Sequence, residues 1–200
     1  MKKVLAIIFL LVVIFGLWKI FGNKKEVVQN EKQEPLRTSA HSALFNQSIS
    51  NVVNSYLDLT NSFVNDDSVN AKVRTQKFIG NIDSMKLTEL QKDTASIYST
   101  VTGQVGDIKS NAQAMLQETS LSEMRKDFKM VSENLYPLLK TVGYKGQKLY
   151  FQNCPMAFGE GKDASWISNT KEIMNPYMGK HNPEFSSSML HCGETKDTIK

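Results

Sequence analysis

Two hundred residues, 40% apolar and 22% charged, carry enough hydrophobic material for a packed core and rule out wholesale disorder. A net charge of +4 from lysines scattered along the chain argues against a dedicated nucleic-acid binder, which needs a concentrated basic face to neutralise phosphates. Two cysteines can build neither a disulfide-framework fold nor a four-cysteine zinc site.

Met1-Lys2-Lys3 precedes an unbroken apolar run from Val4 to Trp18, with Ile20 and Phe21 following Lys19. A run of this length without a polar face lies between a signal-peptide core and a full membrane span. No small-residue pair suited to cleavage follows it, nor a nearby cysteine for lipid attachment. Residues 1–22 are therefore expected to be an uncleaved membrane anchor, with a cleaved secretory signal as the alternative. Either reading exports the remainder to the periplasm or cell envelope. Residues 23–42, rich in Lys, Glu, Gln and Asn, read as a solvated polar linker.

From about Leu44 the pattern turns helical. Phe45, Ile49, Val52, Val53, Tyr56, Leu59 and Phe63 recur at three- and four-residue steps and predict a first helix. Asn65-Asp66-Asp67-Ser68 breaks and recaps the chain, and Val69, Val73, Phe78, Ile79 and Ile82 predict a second, weaker one. A third is expected over about Leu87 to Leu116 on Thr94, Tyr98, Val101, Val105, Ile108, Ala112 and Met115. Gly103 and Gly106 weaken its middle, each by about 1 kcal/mol against Ala. The fourth has Ser120 and Glu123 as a capping box, and Leu121, Met124, Phe128, Val131, Leu135, Leu138 and Val142 hold the step throughout. Pro137 is a kink position, and Gly143 a carboxy-terminal cap.

Short connections between amphipathic helices predict a mainly α fold, an antiparallel four-helix bundle over residues 43–143. No His, Cys or paired carboxylate recurs at helical spacing on the inward faces, so no di-metal or haem constellation is expected there. Met85, Met115, Met124 and Met130 read as gap-filling hydrophobes.

After Gly146 the texture becomes extended. Leu149 to Cys154 predicts a strand ending at Pro155, followed by a turn through Gly159 to Asp163 and a return at Trp166-Ile167-Ser168: a small β-hairpin-containing lobe over 144–200. Trp166 and Tyr177 are expected in its core. Both cysteines, four further methionines (Met156, Met174, Met178, Met189) and two of the three histidines fall in this stretch. Thiolate and thioether sulfurs suit Cu(I) or Ag(I) far better than calcium, magnesium or manganese. Cys154 and Met156 lie two residues apart and Met189 and Cys192 three, so meeting of the two segments would place four sulfurs around one point, with His191 or His181 able to add an imidazole. His41 and His181 are expected to be exposed rather than liganding. The competing reading is a Cys154–Cys192 disulfide, worth about 3–4 kcal/mol on the chain-entropy account. It would leave a structural or partner-docking module without metal chemistry.

The series Leu149-Tyr150-x-Gln152-x-Cys154-Pro155-Met156-Ala157, Trp166-x-Ser168, Ile173-x-Asn175-Pro176-Tyr177-x-Gly179 and Met189-x-x-Cys192-Gly193 resembles a bacterial domain of unknown function. That domain occurs alone in exported proteins or at the carboxy end of heavy-metal efflux periplasmic adaptor subunits. The resemblance spans about residues 43–199, and its specific part is the tail. It implies copper or silver handling beside resistance-type efflux systems, with a heavy-metal efflux adaptor or another periplasmic metal carrier as partner. It also implies Cys154, Met156, Met189 and Cys192 as metal ligands. Met178, His181 and His191 do not match family positions, and the nine residues from Lys180 to Ser188 lengthen the gap before Met189.

No Ser/His/Asp set in a recognisable context, Cys-x-x-Cys pair, phosphate-cradling glycine loop or helical His-Glu-x-x-His is present, so an enzyme is not expected. The sequence reading is a membrane-tethered protein that captures Cu(I), or silver, and hands it on by ligand exchange.

Overall fold

The computed structural model describes residues 40–200. The expected anchor or signal segment, and the linker as far as residue 39, lie outside the described residues. Among those described, no helix is long and apolar enough to cross a membrane.

Helix α1 spans Ala43–Val64, opened by Ser42, whose hydroxyl accepts the Phe45 N–H at 3.1 Å. Its expected apolar stripe is its buried face, and Phe45, Tyr56, Leu59 and Phe63 are fully enclosed. The expectation that His41 is exposed fails. Its side chain is buried, with Nε2 2.9 Å from Asp93 Oδ2 and its ring against Phe45.

Asp67 caps α2 (Ser68–Asp83) by accepting the Asn70 N–H at 2.9 Å. The face of α2 differs from the one expected: Ala71, Thr75, Phe78 and Ile82 are buried, whereas Val69 and Val73 are 73% and 55% exposed. Phe78 and Ile82 fix the phase, and Thr75 is tolerated in the core because its hydroxyl donates to the Ala71 carbonyl and to Met115 Sδ.

The expected third helix is interrupted. Leu87–Lys92 is a 3-10 turn and α3 proper spans Ala95–Gln117. Leu90 is fully buried, Asp93 turns extended to meet His41, and Thr94 sits at the amino-terminal cap position, not on the core face.

Helix α4 spans Leu121–Thr141 and continues through Pro137. Ser120 accepts the Glu123 N–H at 3.2 Å as expected, while the Glu123 carboxylate turns to Lys126 instead of completing a capping box. Gly143 takes the left-handed conformation at φ +61°, and the Gly143 and Tyr144 N–H groups close onto the Lys140 and Leu139 carbonyls.

Each helix packs on the next in the chain, and Tyr56 and Phe63 of α1 meet Phe128 of α4 at ring separations of 5.3 and 4.7 Å, closing the bundle. The tail forms a three-stranded antiparallel sheet ordered β2-β1-β3, from β1 (Leu149–Cys154), β2 (Ala164–Ser168) and β3 (Glu194–Ile199). The first two strands match the expected hairpin, with Cys154 opposite Ala164 and Gln152 opposite Trp166. Strand β3 was not expected, because Glu-Thr-Lys-Asp-Thr-Ile shows no apolar alternation. It pairs along β1 across a register shift at Phe151 and Gln152, and Tyr136 and Lys140 of α4 both donate to its Asp197. Tyr136 also stacks on Phe151 at 3.8 Å.

Strand β2 lies against α4. The Tyr56 hydroxyl joins helices and sheet, 2.7 Å from Ser132 Oγ and accepting the Ile167 N–H at 3.1 Å. One hydrophobic cluster therefore runs from Phe45 through the bundle to Trp166, Tyr177 and Ile199.

Candidate functional site

Cys154 ends the central strand β1 and is completely buried. Cys192 lies in the turn that leads into β3 and is partly exposed. Both are free thiols, and Cys192 lies near enough to Cys154 to interact with it. Burial pushes Cys192 up to about 12, and hydrogen bonding and proximity to Cys154 act in the same direction. The Cys192 thiol is consequently protonated at neutral pH, and a metal ion must displace its proton to engage it.

Asn175 positions this turn. It is fully buried, donates its backbone N–H to the Leu190 carbonyl at 2.8 Å and donates from Nδ2 to the Cys192 carbonyl at 3.0 Å. Its side-chain oxygen accepts the Tyr177 and Met178 N–H groups. A single side chain thus staples the Asn-Pro-Tyr-x-Gly loop to the Met189–Cys192 segment. Gly193 completes the turn at φ +139°, where a Cβ would come within 2.9 Å of the Asn153 carbonyl oxygen. Gln152, also fully buried, donates to the carbonyls of Thr170, Lys171 and Glu172, holding the chain that leads to Ile173.

The other expected ligands divide between two surroundings. His191 Nδ1 donates to the Ile173 carbonyl at 2.8 Å, which leaves Nε2 as the ring nitrogen on the other side of the imidazole. Metal-ligating imidazoles commonly have their second nitrogen fixed in this way. Met156 and Met189 line a groove of about 1580 Å³, together with Met130, Met178, His181 and Phe185, and neither cysteine is among its lining residues. The His181 side chain is 77% exposed, as expected, with Nδ1 3.5 Å from Asp66 Oδ2. Trp166 and Tyr177 are core residues, as expected.

Sequence reasoning missed Met130 and Met178 as groove residues, since helical spacing made the first look like filler and the second lies outside the resemblance. It also missed Arg125, a buried cation on the packed side of α4, whose Nε donates to the Pro176 carbonyl at 2.7 Å. Burial raises Asp127 and Glu133, on the α4 wall of the groove, from their ordinary values; neighbouring Glu118 and Glu123 add to this at Asp127, and Lys129 opposes it at Glu133. Among the described residues, no three His, Cys, Asp or Glu side chains converge to hold a metal ion. The described residues include one pair of neighbouring thiols, and Met130, Met156, Met178 and Met189 line the groove.

No curated protein and no solved structure matches the chain. Residues 52–147 match the family described as Protein of unknown function (DUF3347). The match begins within α1 and ends just ahead of β1, so the chain is similar over its helical part to a domain of unknown function, and the sulfur-bearing tail lies beyond it.

Proposed function

We propose that the protein is an exported carrier of a soft metal ion, Cu(I) or Ag(I), that captures its cargo on the Cys154 and Cys192 thiolates and releases it by ligand exchange. The observation that carries this reading is the proximity of two free thiols from segments far apart in sequence. Two thiolates side by side form a soft-donor pair, and Met156, Met189 and His191 are the further donors nearest to them in sequence. Release requires only that an incoming thiolate or thioether replace one bond at a time while protons return to the departing sulfurs, and Cys192 is the accessible member of the pair. An amino-terminal anchor would hold the carrier at the outer face of the inner membrane, and a heavy-metal efflux adaptor or a second periplasmic carrier would receive the ion.

The same proximity suits a second reading, in which the pair oxidises to a disulfide and the protein is a structural or docking module. The test is competition of the reduced chain with a Cu(I) chelator, alongside a thiol count on protein isolated without reductant. Uptake of Cu(I) by the thiol pair, lost by orders of magnitude in Cys154→Ser and in Cys192→Ser, is expected. Absence of free thiols as isolated, combined with no Cu(I) uptake after reduction, would replace the carrier with the bridged module.

A further inference from the structure

Residues 180–188, which lengthen the gap before Met189, form a folded arm. Its start is tied to the α1–α2 corner: the Lys180 N–H donates to the Val64 carbonyl at 2.9 Å and the His181 N–H to Asp66 Oδ2 at 2.7 Å. Asn182 Oδ1 then accepts the Glu184 and Phe185 N–H groups, and the Ser186 N–H returns to the Asn182 carbonyl at 2.8 Å. Ser186 holds a left-handed φ of +50°, which costs a residue with a side chain about 1–2 kcal/mol. Within this turn the Phe185 ring is left 39% exposed.

The arm is one wall of the groove, facing α4 and the turn after β1. Among the described residues the exposed large apolar side chains are Leu44, Val69, Val73, Met130, Met156 and Phe185, and the last three all line this groove. Apolar side chains gathered in one concave surface mark a place where another surface packs. The charges of the lining say what kind. Lys126 is taken up by Glu123 at 2.7 Å, Lys129 by the Asp163 carbonyl at 2.8 Å, and Arg125 by Asp66 at 2.6 Å. Asp127, Glu160 and Glu184 line the groove without a basic partner, Asp127 Oδ2 being buried with no hydrogen bond, and Lys162 is left over against them. Unpaired charge that is mainly negative repels phosphate groups and a second copy of the same face, and attracts a cationic partner. No residue of β1, β2 or β3 is in the described lining, so an extended peptide finds no strand edge to pair with there.

We infer that the groove is the docking site for a cationic amphipathic helix of a partner protein. The apolar stripe of that helix rests on Met130, Met156 and Phe185, and its lysines or arginines face Asp127, Glu160 and Glu184. Methionine suits such a seat, because its three rotatable side-chain bonds let it follow the shape of an incoming apolar face. The docking site does not depend on metal binding and stands whether the cysteines ligate or bridge.

The experiment uses the full chain in phosphatidylcholine nanodiscs, with methionine methyl groups labelled with carbon-13. It is titrated with a synthetic peptide of about five helical turns that carries leucines on one face and lysines on the other. The Met130 and Met156 methyl signals are expected to shift and to saturate at one peptide per chain, while those of the buried Met115 and Met124 stay in place. Phe185→Ser and Met130→Gln, both at exposed positions, should each weaken binding on the order of tenfold. Asp127→Asn/Glu184→Gln should weaken it too and lessen its dependence on salt, since fewer charges are then screened. The same peptide with glutamates in place of lysines should bind more weakly by at least about tenfold. Met130 and Met156 unmoved by the lysine peptide, or an equal response to the glutamate peptide, overturns the docking site. Shifts of the same methyl groups without peptide, on raising the protein concentration or on exchanging the lipid for phosphatidylglycerol, overturn it as well and give the groove to a second copy or to a membrane surface.

Discussion

The Arg125 guanidinium reaches Asp66 Oδ1 at 2.6 Å across the junction of three segments: α4, the α1–α2 corner and the loop that carries Tyr177 to Gly179. Arg125 also donates to the Phe63 carbonyl, and Asp66 Oδ2 accepts the His181 N–H at 2.7 Å. Both charged side chains are largely enclosed, at 9% and 16% exposure. Gly179, at φ +68°, lies so close that a Cβ there would come within 2.3 Å of Asp66 and 2.5 Å of Arg125.

Removing one partner leaves a buried charge uncompensated, so Arg125→Met is expected to destabilise by about 3–5 kcal/mol. Gly179→Ala adds a left-handed backbone penalty of about 1–2 kcal/mol to the steric conflict and should approach the same loss. Urea unfolding of the variants measures both. Midpoints within error of wild type would show that the pair does not hold the loop.

Tyr56→Phe removes a hydroxyl that bonds Ser132 and accepts the Ile167 N–H, leaving that strand amide buried without a partner. A loss of about 1–3 kcal/mol is expected. It should appear as faster hydrogen exchange at the Ile167 amide ahead of any global change. Unchanged protection there would refute the role of Tyr56 in joining bundle to sheet.

Metal affinity of the dithiol should depend on pH in a determined direction. Burial and neighbouring Cys154 hold the Cys192 thiol up to about 12, so across neutral pH each binding event must expel its proton. Apparent Cu(I) affinity should therefore rise by at least about tenfold per pH unit and fall on acidification. A flat profile for the wild-type chain between pH 6 and pH 8, the range to be scanned, would exclude thiolate ligation.

Asp197 ties the edge strand β3 to α4, and its carboxyl is held well below the usual range, first by the Lys140 hydrogen bond and then by Tyr136. A depressed folded-state value means stabilisation present above the unfolded carboxylate value of about 4 and lost as pH falls toward the folded one. Wild type should exceed Asp197→Asn in stability at neutral pH and converge on it in acid. Parallel pH–stability curves would remove Asp197 from the attachment of β3.

The first and fourth helices were legible because Phe45 to Phe63 and Leu121 to Val142 carry an unbroken 3.6-residue rhythm, and periodicity of that strength specifies a buried face before any partner is known. The second and third were read less well. On α2 the apolar residues Val69 and Val73 lie outside the face that Phe78 and Ile82 bury, and the break before α3 depends on Asp93 meeting His41, a partner 52 positions away. Strand β3 was illegible because an edge strand pairs through its backbone and needs no apolar alternation.

By itself the sequence determined that the tail is rich in soft donors and that Cys154, Met156, Met189, Cys192 and His191 are the residues to ask about, because sulfur chemistry belongs to residue type and needs no neighbour. Tertiary structure alone decided who meets whom. Asn175 brings Cys192 into the turn where its thiol lies near Cys154, Arg125 and Asp66 anchor the loop carrying Met178, and α4 adds Met130 to the groove. Such pairings depend on contacts between segments far apart along the chain, which local periodicity does not encode.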